Sequence, residues 1–154
     1  MNLDGLKEMF SKAPTKWVKM SGVYPEVIEE RHVKIVMPLK DLHFNHVGTA
    51  YAGSMFVIME IACGTLFFAT YGMDKYAPVV KRIEIDYLRP TKNDLVADVR
   101  ISEEEANEKI RAIEENGKGD MRFTVSLSDS EGTEVAKAQI TLFILPFTKD
   151  FMKR

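Results

Sequence analysis

Cysteine is nearly missing from the chain: Cys63 stands alone, which excludes an internal disulfide and gives no sign of an oxidising compartment. A basic surplus is missing too. The formal net charge of −2 argues against broad nucleic-acid binding. The chain does not open on an uninterrupted apolar stretch, because Asp4, Lys7, Glu8 and Lys12 break up its first turns, so a secretory signal is not expected. Internal repeats, low-complexity tracts and linkers are absent as well. What is present, 45% apolar and 29% charged residues in 154, fits a single soluble domain over residues 1–154, expected in the cytoplasm.

One further absence is local. Between Leu42 and Met73 the only formally charged residue is Glu60, and the run from Ala50 to Tyr71 is long enough to span a bilayer. The central carboxylate, the glycines at 48, 53, 64 and 72, and the lack of flanking Lys or Arg clusters all oppose that reading. A helix apolar nearly all round is equally the signature of a buried core helix. No membrane partner is expected.

The remaining periodicities outline the fold. Leu3, Leu6, Met9 and Phe10 recur at helical spacing and predict a short helix over 2–12, closed by Pro14. Trp17, Val18 and Met20 are expected to extend its packing, with Gly22 and Pro25 as breaks. Arg31 to Met37 reads as a first strand, and about 51–71 as the central helix, ended by Gly72. Period-2 alternation then takes over. Val79, Lys81, Ile83, Ile85 and Tyr87 are predicted to share one strand face, and Pro90 ends that strand. Alternation resumes at Leu95 to Ile101, Met121 to Leu127, and from Val135 to near Pro146, with a turn at Glu131-Gly132. Ser102 caps a helical excursion with Glu105 as its box partner and Asn116-Gly117 as its stop. The expected class is α+β: an antiparallel sheet of five to six strands wrapped around one long central helix. Such a sheet leaves an edge that a homodimer, or a dimer of dimers, would cover.

Chemistry concentrates in Asn45-His46-Val47-Gly48-Thr49-Ala50-Tyr51-Ala52-Gly53-Ser54 and in Glu60. A glycine loop delivers the chain to a helix N-terminus at Ala52-Gly53, where unpaired N–H groups can hold a polarised carbonyl oxygen. Asn45 offers an amide to orient water or the same ligand. Glu60 lies two helical turns beyond Gly53 on the same face. An apolar setting raises its pKa and suits it to act as a general base or nucleophile.

The spacing of Asn45, Tyr51-Ala52-Gly53 and Glu60 resembles hotdog-fold acyl-CoA thioesterases of the phenylacetate and hydroxybenzoyl-CoA types. Their pattern is Asn or Gln, five residues, His-Gly-Gly, then an acid nine residues after the His. The run Gly48 to Ser54 also resembles the Gly-Thr-x-x-x-Gly-Ser motif of uncharacterised bacterial thioesterase-like families. The resemblance covers about Arg31 to Pro146 and implies a hotdog fold. It implies Glu60 as nucleophile or base, Ala52 as oxyanion donor with Gly53 beside it, and Asn45 as positioning group. Here Tyr51 stands where the family has His, and Ala52 where it has Gly. Tyr51 would narrow the mouth or bind substrate, Phe56, Met59 and Gly64 would line the acyl site, and Lys81, Arg82, Arg89 and Lys92 would meet coenzyme A phosphates. The implied partner is an acyl-CoA or acyl-carrier thioester, with no metal and no cofactor beyond coenzyme A in the substrate. Other readings stay open: a structural Glu60 paired across an interface, a non-catalytic acyl-binding scaffold, or a dehydratase using His43 or His46. Cys63 is expected to be a core thiol.

Overall fold

The computed structural model describes residues 3–12 and 15–148, so Pro14 lies outside the described residues. Two short helices open it, α1 (Leu3–Lys12) and α2 (Lys16–Ser21). Strands β1 (Tyr24–Glu29) and β2 (His32–Met37) form a hairpin, and a short 3-10 turn at Asp41–His43 leads to the long helix α3 (Ala52–Tyr71). Then come β3 (Tyr76–Tyr87), β4 (Leu95–Arg100), α4 (Glu103–Asn116), β5 (Gly119–Asp129) and β6 (Glu134–Pro146). The six strands form one antiparallel sheet in the order β1-β2-β4-β5-β6-β3.

Alternation dictates which face is buried. Val33 and Ile35, Leu95 and Ala97, Val125 and Leu127, and Ile140 and Leu142 turn inward and join Met55, Ile58, Met59, Ala62 and Leu66 of α3 in one core. By length and composition α3 could cross a bilayer, yet here most of it is enclosed by the sheet. Ser102 accepts the Glu105 N–H at 3.1 Å, and Gly117, at φ 74°, ends α4. The Tyr71 hydroxyl donates to Ala106 O at 2.9 Å, tying α4 to the far end of α3. A sheet curled around one helix is the hotdog architecture.

Three details depart from the sequence-based expectation. A strand, β1, occupies a stretch read as irregular because of Pro25. On an edge strand a missing N–H costs no ladder bond, and the register shifts locally between Pro25 and Val27. Trp17 and Met20 stand exposed, and only Val18 of that trio turns partly inward. In β3, a register shift between Val80 and Arg82 sets Val80 opposite buried Leu142, whereas Val79 pairs with Phe143. Val79 and Lys81 therefore leave the face of Ile83 and Ile85, because one extra residue inverts the alternation.

Candidate active site

The start of α3 is held by its approach loop. Asn45 accepts N–H groups from Val47 (3.0 Å) and Thr49 (3.1 Å) and donates to Thr49 Oγ1 (2.9 Å). Gly48, at φ 75°, adopts the left-handed turn that such a closed loop requires. Ala50 donates its N–H to Thr91 O at 2.8 Å, and Tyr51 donates to His43 O at 2.7 Å. Tyr51 is the extended N-cap, its carbonyl accepting from Ser54 and Met55. The N–H groups of Ala52 and Gly53 thus begin the helix with no hydrogen-bond partner among the described residues. The Tyr51 ring lies over Gly53 so closely that a Cβ there would come within 2.3 Å of its Cε1. Gly53 is what lets the ring lie there.

Asn45 and Ala52 line a cleft of about 300 Å³ with Met55, Tyr87, Arg89 and Pro90. The Tyr87 hydroxyl donates to Ala52 O at 3.2 Å. The loop bearing Arg89 is anchored at Asp129, whose Oδ2 accepts from Thr91 (2.9 Å) and whose Oδ1 accepts N–H groups from Glu131 and Thr133 (both 3.0 Å). Burial alone would raise the pKa of Asp129, but these hydrogen bonds, with one from Asn93, outweigh it and hold it below the ordinary carboxylate value. Asp129→Ala should therefore cost about 2 kcal/mol. The loss should show in urea unfolding at pH 7 and shrink as acid protonates the wild-type carboxylate, since a depressed pKa contributes its stability above the unfolded value and loses it as pH falls through the folded one.

Glu60 lies elsewhere. It lines a partly open cavity of about 190 Å³ between α3 and the two N-terminal helices. No hydrogen bond or ion pair to Glu60 exists among the described residues, and burial raises its pKa above 4.5. With a raised folded pKa, the ionised acid destabilises the fold at neutral pH, and the cost disappears below the unfolded pKa. Glu60→Gln should consequently melt higher than wild type at pH 8, with the gap closing as pH approaches 4.5.

The other residues named from sequence scatter. Gly64 shares the Glu60 cavity, and Phe56 is exposed on the same helix. Met59 is 0% exposed and belongs to the core, so the expected tunnel-lining place is not the one it holds; a helix apolar on every side does not announce which stripe meets the sheet. Lys81 pairs with Asp120 at 2.8 Å and Arg82 with Glu84. Both lie on the outer sheet face, away from the cleft, so of the four cations named from sequence, Lys92 included, Arg89 alone lines it. Cys63 is fully buried, and burial first, then Glu60, pushes its thiol up to about 12, so it is no nucleophile at neutral pH. His43 accepts the Lys40 N–H on Nδ1 at 3.1 Å, and burial, then Lys40, lowers its pKa. It braces the loop. Tyr87, Thr91 and Asp129 were not singled out from sequence, for nothing in local spacing joins residues so far apart.

A family model described as "Domain of unknown function (DUF4442)" matches residues 7–144. Among solved structures, a Pseudomonas aeruginosa protein of unknown function, described as a probable thioesterase, is similar at 26% identity and a TM-score of 0.84, over 94% of this chain and 96% of that one. A phenylacetic acid degradation protein of Thermus thermophilus shares the fold at 16% identity and a TM-score of 0.63, over 84% and 98% of the two chains. A hypothetical thioesterase of Streptococcus pneumoniae, crystallised with coenzyme A, does so at 19% and 0.61, over 80% and 89%. No curated protein matches the sequence.

Proposed function

The chain belongs to the family described as a domain of unknown function (DUF4442), and from that premise we propose that it hydrolyses acyl-CoA-type thioesters. The observation that carries this reading is Glu60, an unpartnered carboxylate in an apolar cavity on the helix whose N-terminal amides are free. A desolvated carboxylate either attacks the thioester carbon, giving a mixed anhydride and thiolate that water then resolves, or takes the proton of an attacking water. The Ala52 N–H receives the developing oxyanion, and the remaining amide hydrogen of Asn45 orients carbonyl or water. Arg89, in the same cleft, suits a coenzyme A phosphate. Support comes from the probable thioesterase among the similar structures and from the neighbour crystallised with coenzyme A.

Ala52 and Glu60 line different cavities and lie eight helical residues apart, a rise of about 12 Å. We therefore place the reacting carbon between two chains, Glu60 from one and Ala52 from the other. The twelve-residue edge strand β3, with Val79, Val80 and Tyr87 exposed, is the surface for that homodimer, with a dimer of dimers as the larger form. No metal enters the scheme, coenzyme A arrives as part of the substrate, and the cytoplasm is the proposed compartment. Thiol release from a panel of acyl-CoAs tests the activity. One observation favours the alternative of a non-catalytic acyl-CoA binder: the Tyr51 ring lies against Gly53, next to the Ala52 N–H that would receive the oxyanion. Saturable binding with no turnover on any acyl-CoA would establish the alternative.

A further inference from the structure

The Glu60 cavity is walled by Met9 and Phe10 of α1, Val18 of α2, and Ile61 and Phe68 of α3. Its polar groups are few. The Thr65 hydroxyl donates to Ile61 O at 2.7 Å and so has no proton left to offer. Thr15 is exposed at the periphery, and among the described residues Glu60 is the single charged group in the lining. Apolar space of this kind holds water poorly.

Gly64 supplies a second, independent observation. It sits in the interior of α3, where glycine costs roughly 0.5–1 kcal/mol relative to alanine. No left-handed backbone demands it, and among the described residues a Cβ there would meet nothing within 4 Å. No close-packed neighbour among them accounts for the glycine; what it preserves is empty volume beside Glu60.

Resting on the thioesterase reading, we infer that this cavity receives the acyl chain, and that the substrate is a medium-chain, unsubstituted acyl thioester. A water's share of liquid volume is roughly 30 Å³ and a methylene is of similar size, so a volume of about 190 Å³ holds about six carbons beyond the carbonyl. The acyl group is then of six to eight carbons, with no polar group at its far end. The N-terminal helices, which wall the cavity opposite α3, set that length.

The test is a series of saturated acyl-CoAs from acetyl to dodecanoyl, read as kcat/KM. Alongside it, calorimetric binding of non-hydrolysable butanoyl and octanoyl thioether analogues is measured. Wild type should gain roughly three- to fourfold per methylene up to about octanoyl, then level off or fall. Gly64→Leu, which fills most of the void, should cut the octanoyl-to-butanoyl ratio at least tenfold in both measurements. Gly64→Ala adds one carbon where nothing obstructs it and keeps a folded variant in hand; its optimum should shorten by about one carbon. Hydrolysis whose length profile is unchanged by both variants overturns the cavity assignment and leaves the thioesterase reading standing. Length-selective analogue binding that responds to Gly64, without turnover of any acyl-CoA, keeps the cavity assignment and removes the catalytic one. Absence of both overturns both.

Discussion

Glu60→Gln is expected to lower kcat for acyl-CoA hydrolysis by roughly 10²- to 10⁴-fold, the range that a positioned base contributes. Glutamine keeps the length and shape of the side chain, so the cavity and its acyl preference should survive, and KM should move far less than kcat. What is lost is the anionic oxygen basic enough to attack carbon or take a proton from water; the amide oxygen that replaces it is a far weaker base and nucleophile. Because burial raises the Glu60 pKa, the acid limb of the wild-type kcat/KM profile should have its midpoint above 4.5, and activity should fall as pH drops through it. The same substitution should raise thermal stability at pH 8, since an unpaired, partly buried charge is replaced by a neutral amide. Activity lost while stability is gained marks a group kept for chemistry. A variant with wild-type turnover would remove Glu60 from the mechanism altogether.

Much of the fold could be read in the sequence because its two periodicities are clean. The break between an apolar run from Tyr51 to Tyr71 and strict alternation after Val79 is the change from a central core helix to half-buried strands. Ser102 with Glu105, and Gly117, mark the ends of α4 by local hydrogen bonding, which local sequence encodes. The β1 strand and the β3 bulge were not legible, since both depend on which neighbour a strand has rather than on its own residues. The candidate site divides in the same way. Asn45, Ala52 and Glu60 stand out by spacing along one stretch. The cavity around Glu60 needs Met9, Phe10 and Val18, and the cleft around Ala52 needs Tyr87 and Arg89, all brought together only by tertiary packing.

Ala52→Pro is the sharper test of the oxyanion site, and it should lower kcat by roughly 10²- to 10³-fold. Ala52 is the first residue of α3, where proline is well tolerated because its missing N–H has no helical partner in any case. Tyr51 before it already has φ −68° and ψ 134°, the extended conformation that a following proline imposes. The Ala52 carbonyl remains to accept the Tyr87 hydroxyl, and Gly53 N–H is untouched. Thermal stability should therefore stay within about 0.5 kcal/mol of wild type, separating loss of a donor from loss of the helix end. Mixing decides how the two groups meet. Co-refolded Glu60→Gln and Ala52→Pro chains give heterodimers in which, if each site draws on both subunits, one site has both defects and the other has neither. A statistical mixture, half of it heterodimers with one intact site of two, should recover about a quarter of wild-type activity. If Glu60 and Ala52 instead serve a single site within one chain, the mixture stays as inactive as its parents, and the shared-site geometry is wrong even though both residues are catalytic.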